Sequence, residues 1–195
     1  MMNVRPTTMV CRVVLLEPMS LDHAPGLLAA ATPEVFALSP QRPTPWTEEG
    51  MRAELRSVLA LPDCVAFAAI LRGTGAPIGR TTYMDIRPAH RGLEIGRTWI
   101  AVPYQGTLVN PEMKFLMLRH AFERIGAIRV QLKTDARNLH SQRAIAKLGA
   151  LREGVLRKHM ILPDGVVRDT VLFSITDEEW PAVKQRLIER LGYEP

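Results

Sequence analysis

Two stretches of the chain carry the residue types that hold an anion. The first is Tyr104-Gln105-Gly106-Thr107-Leu108-Val109-Asn110-Pro111-Glu112, and the second is Asn138-Leu139-His140-Ser141 leading to Lys147-Leu148-Gly149-Ala150. In the first, Asn110 suits a helix N-cap and Pro111 the first helical position, so the turn before them is expected to aim backbone N–H groups and the positive end of a helix at one point. A phosphate is the natural occupant. The second stretch reads as the end of a strand followed by a helix capped by Asn138. Two helices then open on the same side of one sheet with a polar group at each mouth, a layout for a long ligand that ends in phosphate.

The elements that must position these stretches alternate along the chain. Cys11 to Leu16 reads as a strand, Ser20 caps a helix to about Ala31, and Thr47, with Glu49 and Gly50, opens a second helix to about Leu61. Val65 to Leu71 and Ile78 to Ile86 read as a hairpin around the glycines of Arg72-Gly73-Thr74-Gly75-Ala76-Pro77. Leu93 to Ala101 is a further strand. Phe115, Leu118, Phe122 and Ile125 recur at helical spacing with Met113, Leu116, Met117 and Ala121 beside them, which predicts a largely buried helix from Pro111 to Ile125, ended by Gly126. Ile128, Val130, Leu132 and Thr134 alternate with Arg129, Gln131 and Lys133, the pattern of a strand with one buried face. The helix after Asn138 stops at Gly149. Val155 to Leu162 and Val166 to Ile175 form a C-terminal hairpin around Pro163-Asp164-Gly165, and Asp177-Glu178-Glu179-Trp180 starts a last helix to Leu191. Exposed apolar residues on that hairpin would support a homodimer.

Composition narrows the class. At 195 residues, 47% hydrophobic and 23% charged, the chain suits one domain over residues 1–195 with a sizeable core. The net charge is +5, but the arginines are spread along the chain without interleaved aromatics, which favours anionic small ligands over nucleic acid. Cys11 and Cys64 lack CxxC spacing and the five histidines are scattered, so neither a metal site nor a disulfide framework is expected, and a reducing cytoplasm fits best. No apolar run is long enough for a membrane span. Val13 to Leu16 is bracketed by Arg12 and Glu17 and reads as a strand rather than a signal peptide. Neither GxxxxGK[ST] nor GxGxxG occurs, which argues against the common nucleotide-binding loops.

Three motifs in order, Glu94-Ile95-Gly96 with Trp99, Tyr104-Gln105-Gly106-Thr107 with Asn110 and Glu112, and Asn138 to Ser141 ending in Lys147-Leu148-Gly149-Ala150, make the chain resemble the GNAT acyltransferases. The resemblance is closest to the RimJ/RimL-like branch that acetylates the N-termini of ribosomal proteins. It implies an α/β fold with a mixed, mostly antiparallel sheet of about seven strands, splayed between strands four and five, with helices on both faces.

The resemblance also implies roles for individual residues. Backbone N–H groups of Gln105, Gly106, Thr107, Leu108, Val109 and Asn110 would wrap the pyrophosphate of acetyl-CoA, aided by the helix dipole. The pantetheine arm would pair with the strand edge near Trp99 to Val102, bringing Ile100, Ala101 and Val102 to the coenzyme, and an N–H there would stabilise the thioester oxygen. Asn138 would hold the arm, and Ser141 would be the general acid for the departing thiolate.

Acyl transfer needs a neutral amine, so a base is required. Glu94 is the leading candidate, expected on the strand face opposite Leu93, Ile95 and Trp99; a solvated strand carboxylate is the alternative. Asp85 and Asp169 are further candidates, and His140 is expected to face solvent. Trp46 and Tyr83 would line the acceptor pocket or serve plain packing. Leu108 stands where the family usually has glycine, so either the turn accepts it with some loss of affinity, and Leu108→Gly tightens acetyl-CoA binding, or the site has decayed. The readings are thus an acetyl-CoA-dependent N-acetyltransferase acting by direct attack, a silent GNAT-like module, or an unrelated nucleotide binder. The amine acceptor is a protein N-terminus, needing an open groove, or a small molecule, needing a closed pocket.

Overall fold

An unbroken apolar run, Val65-Ala66-Phe67-Ala68-Ala69-Ile70-Leu71, can bury both faces of a strand at once, and it lies inside a sheet covered on both sides. The computed structural model describes residues 2–193. Eight strands form one sheet: β1 (Met9–Val10), β2 (Val14–Pro18), β3 (Val65–Leu71), β4 (Ala76–Arg87), β5 (Gly92–Ile100), β6 (Arg129–Asp135), β7 (Leu151–Ile161) and β8 (Val167–Thr176). Their order is β1-β2-β3-β4-β5-β6-β8-β7. The strand beyond the expected number is β1, a two-residue edge paired Met9↔Leu16 and Val10↔Leu15. Five α-helices, α1 (Ala24–Ala30), α2 (Glu48–Leu59), α3 (Val109–His120), α4 (Leu139–Ala146) and α5 (Trp180–Leu191), join the strands. Among the described residues no helix is long and apolar enough to cross a membrane.

Two apolar clusters lie against the sheet. One joins α3 and α5 to Leu16, Phe67, Tyr83, Leu93 and Ile95; the other joins α1 and α2 to Ala66 and Trp99. A buried ion pair ties α2 to β4, with Arg80 Nη1 2.9 Å from Glu54 Oε2 and Arg80 Nη2 2.5 Å from Glu54 Oε1.

All neighbouring strands are antiparallel except β5 and β6. Those two pair in parallel only at Gly92↔Arg129, Leu93↔Val130 and Glu94↔Gln131, and then part. Among the described residues, Ile95–Ile100 therefore has β4 on one side and no strand partner on the other.

On the β4 side the register skips between Arg80↔Trp99 and Thr82↔Gly96, and Arg97 takes φ 48° at the bulge. A bulge inserts one residue and reverses the alternation beyond it. Leu93 and Ile95 face α3, whereas Trp99 packs with Phe36, Leu27 and Met51 under α1 and α2. Trp99 therefore shares the face of Glu94, and the expectation that the two face opposite ways is corrected by the inserted residue.

Helix α3 begins earlier than its sequence suggests. Its first residue is Val109, whose N–H donates to Thr107 Oγ1 at 3.3 Å, so Asn110 lies inside the first turn and is not the cap. Beyond His120 it passes into a π-turn, Ala121–Ile125, closed by Gly126 at φ 75°. Glu112, fully buried in the first turn, accepts from the N–H groups of Val13 and Val14 and from the Tyr193 hydroxyl, fixing the helix start to β2.

Candidate active site

The parting of β5 from β6 opens towards the turn that leads into α3. Gln105 Nε2 donates to Ile100 O at 3.0 Å and Thr107 Oγ1 to Tyr104 O at 2.7 Å, so side chains hold the turn while its main chain stays exposed. Among the described residues, nothing accepts a hydrogen bond from the N–H of Gly106, Thr107 or Leu108. Three free donors beside a helix N-terminus suit an anion.

The residue of this turn that needs glycine is Gly106, at φ 76°, where an added Cβ would meet nothing within 4 Å. Leu108 sits at φ −72° and ψ −10°, ordinary for any L-residue, with its side chain 37% exposed. The backbone at Leu108 therefore gives no reason of its own to need glycine.

Beyond the turn's partner strand, the main chain is partly engaged. Ala101 donates its N–H to Ile78 O at 2.8 Å, the carbonyl of Ile100 is held by Gln105, and Val102, exposed, begins a 3-10 turn. Across the gap, Asn138 caps α4 by accepting from Ser141 N–H at 2.9 Å. The Ser141 hydroxyl, half-buried in the first turn, makes no hydrogen bond among the described residues.

Glu94 stands at the apex, the last residue of β5 that pairs with β6. It is 4% exposed, and its Oε2 accepts from Lys133 Nζ at 2.7 Å and Gln131 Nε2 at 3.0 Å, so the solvated alternative is excluded. Around it lie Arg168, 3.9 Å from Asp135 Oδ2, and His159, whose Nδ1 is 3.0 Å from Thr170 Oγ1. Burial, then the charges of Lys133 and Arg168, lower the His159 pKa, against the opposing charge of Glu94. The other carboxylates have local tasks: Asp169 Oδ1 accepts from Lys158 N–H at 2.6 Å, and Asp85 pairs with Arg87 at 3.5 Å. His140 is exposed, as expected.

On the face of α1 and α2, an open groove of about 430 Å³ runs between the Pro40–Thr44 loop, α2 and Pro163 at the β7–β8 turn. Trp46, 40% exposed, stands edge-on to Phe36 at 5.9 Å, and Phe36 meets Trp99 at 5.3 Å, so an aromatic row leads from the loop to β5. Tyr83 does not join it. Alternation along β4 turns it into the core beneath α3, fully buried, its hydroxyl donating to Met117 O at 2.6 Å, so its expected place at the acceptor pocket is corrected. A larger cavity of about 560 Å³ lies behind α3, lined by Cys11, Arg119, Lys184 and Tyr193 among others, and contains none of the expected site residues.

Sequence reading missed Lys133, the Arg80–Glu54 pair and Lys114. Lys114 is buried in α3 and donates to Thr98 Oγ1 at 2.9 Å; a single lysine inside the apolar run Met113 to Leu118 was its only signal. Cys64 lies within electrostatic reach of Arg97 at the bulge, but burial raises its thiol pKa, which disfavours a thiolate nucleophile. Among the described residues no group of three or more His, Cys, Asp or Glu converges on a metal position.

No curated protein matches the chain. Residues 13–151 match the sequence model of the acetyltransferase (GNAT) domain. Among solved structures, a Thermus thermophilus protein assigned to the acetyltransferases is 46% identical, covers 97% of this chain and 100% of its own, and superposes with a TM-score of 0.91. A GCN5-related N-acetyltransferase from Brucella melitensis is 30% identical over 96% of this chain and 86% of its own, with a TM-score of 0.91. Mycobacterium smegmatis RimJ, solved with CoA-disulfide, shares the fold at 24% identity, covering 95% of each chain with a TM-score of 0.80.

Proposed function

The chain belongs to the GNAT family of N-acetyltransferases, and on that premise we propose that it transfers the acetyl group of acetyl-CoA to a primary amine by direct attack within a ternary complex. The observation that carries this reading is the end of β5–β6 pairing at Glu94↔Gln131, with the free N–H groups of Gly106, Thr107 and Leu108 in the turn directly before α3. The diphosphate takes those donors and the first-turn amide of Asn110, with Val109, whose N–H is held by Thr107, behind them. The arm pairs with the open edge of Ile95–Ile100, flanked by Asn138 and Ser141, with Ala101 and Val102 at its end.

The amine approaches from the face shared by Glu94, Trp99 and Trp46. As its nitrogen bonds to the carbonyl carbon, Glu94 takes the surplus proton directly or through water; the carbon–sulfur bond breaks, and the thiolate must take up a proton, the task expected of Ser141. The groove between the Pro-rich loop and Pro163 is open rather than enclosed, which supports a peptide N-terminus over a small amine. The free thiols of Cys11 and Cys64 support a reducing compartment, which we take to be the cytoplasm. Leu151, Val155, Leu156 and Ile161, exposed along edge strand β7, are the surface on which a second copy would pack.

Thiol release from acetyl-CoA, followed with ribosomal N-terminal peptides and with small amines, tests the reading. Turnover with the peptides is expected. Binding of CoA without thiol release for any amine would instead make the chain a silent member of its family.

A further inference from the structure

A buried lysine of α3, Lys114, has no part in the proposed acyl transfer. Lys114 is 6% exposed, and its Nζ donates to Thr98 Oγ1 at 2.9 Å; Thr98 in turn lies 2.8 Å from Thr81 Oγ1, which meets Met117 Sδ at 3.2 Å. No salt-bridge partner reaches it among the described residues. A buried ammonium without a counter-ion is costly, and Met113 and Met117 on the same helix fill space without that cost. A role in packing alone therefore does not account for a lysine here.

Position supplies the missing reason. Thr98 follows the Arg97 bulge on the part of β5 that has no β6 partner, and its side chain lies on the α3 face. Glu94 lies on the other face. The stretch that would present the thioester is thus flanked by a carboxylate on one side and a hydroxyl backed by an amine on the other.

We propose that Lys114, acting through the Thr98 hydroxyl, supplies the proton that the departing thiolate takes up. The inference rests on the acetyl-CoA reading above and gives Lys114 the task expected of Ser141. As the carbon–nitrogen bond forms and the carbon–sulfur bond breaks, sulfur takes the proton of Thr98 Oγ1, and Thr98 takes one from Lys114 Nζ. Lys114 is left as a neutral amine, the form that burial favours, and regains a proton from water when the thiol product leaves.

Burial alone brings the Lys114 pKa down to about 7. The titratable groups on the facing elements, Tyr83 of β4, His120 at the end of α3 and Glu112 in its first turn, do not contribute. An acid in this range can protonate a thiolate of ordinary basicity at neutral pH, whereas a serine hydroxyl can only pass a proton on. A bound diphosphate raises the value, so the limb in the loaded enzyme lies at or above it.

Two readouts on the full chain test this. With acetyl-CoA and peptide saturating, kcat should fall as pH rises past the Lys114 pKa; Lys114→Met should lower kcat about a hundredfold and remove that limb, with CoA affinity by calorimetry within about threefold. Thr98→Val, which keeps the shape, should give the same loss should methionine disturb the core. The second readout needs no ligand. Because the folded chain holds Lys114 at a lowered pKa, the unfolded chain binds the extra proton, and the destabilisation is greatest below about pH 7 and relieved as pH rises towards the ordinary lysine range. Wild-type stability to urea should therefore rise between pH 7 and 9 relative to Lys114→Met. Parallel stabilities, or a variant that keeps both rate and pH limb, would overturn the inference alone; a wild-type chain that releases no thiol would overturn the acyl-transfer reading and this inference with it.

Discussion

The Glu94 carboxylate is held by two residues of one neighbouring strand, Lys133 and Gln131, through the same oxygen, Oε2. Its Oε1 remains for a proton. The pairing fixes the carboxylate at the apex where β5 and β6 part, and this fits a base that must meet one amine in one orientation. Glu94→Gln keeps the shape and the Gln131 contact but removes the proton acceptor; kcat should fall by about a hundredfold while the KM for acetyl-CoA stays within about threefold, read from thiol release. An unchanged kcat would remove Glu94 from the proton path. Leu108 leads to the opposite kind of expectation. Its φ of −72° gives glycine no advantage, and its half-open side chain leaves the three free N–H groups accessible, so Leu108→Gly should leave CoA affinity unchanged or slightly weaker by calorimetry. Tighter binding by tenfold or so, about 1.4 kcal/mol, would show that the side chain crowds the ligand after all. Residue types at Glu94, Asn138 and Ser141 were legible before any fold was known, because polar groups at strand and helix ends stand out from their apolar surroundings. Which oxygen is engaged, and by whom, was not: Lys133, the one lysine of β6, reads as an ordinary solvent-side residue of an alternating strand until β5 and β6 are set side by side.

Strands and helices were legible wherever apolar period and turn residues agreed. Val65–Leu71 is bounded as expected, Thr47 and Asn138 cap α2 and α4, and Gly126 ends the α3 region. The bulge at Arg97 was marked only by Gly96 before it, since arginine itself at φ 48° is neither the glycine nor the asparagine that usually announces such a backbone. One inserted residue then moved Trp99 to the other face. At α3 another local contact prevailed over the Asn110–Pro111 signal: Thr107 accepts from the N–H of Val109, the residue before Asn110, and the helix begins there. The Arg80–Glu54 pair was hidden because its partners come from a helix and a strand far apart in sequence. Both are under a tenth exposed, so removing one leaves a buried charge unpaired. Glu54→Ala should cost about 3–5 kcal/mol in denaturant unfolding, and Glu54→Leu combined with Arg80→Met should recover most of it. A single variant within about 1 kcal/mol of wild type would mean that water reaches Arg80 and that the pair does not anchor α2 over the sheet.

For the molecule as a whole, the ligand site is formed by parts that the chain brings together from distant positions: the free edge of β5, the turn before α3 and the start of α4. None of these can hold a coenzyme separately. The turn's amides need Gln105 anchored on Ile100, and the gap exists only while β6 is kept on its far side by β8 through seven paired positions from Arg129↔Thr176 to Asp135↔Thr170. Ligand binding should therefore stabilise the cooperative fold rather than one loop. At a hundredfold excess over the dissociation constant the gain is about 2.7 kcal/mol, which for a chain of this length corresponds to a rise of about 5–10 °C in Tm. Differential scanning calorimetry with CoA should show one transition moving upward as a unit, growing with the logarithm of ligand concentration. A transition that splits, with the sheet unmoved, would mean that the turn binds without engaging the gap. No shift at millimolar CoA would mean that the free amides at Gly106, Thr107 and Leu108 serve some other anion, and the acyl-transfer reading would have lost its ligand.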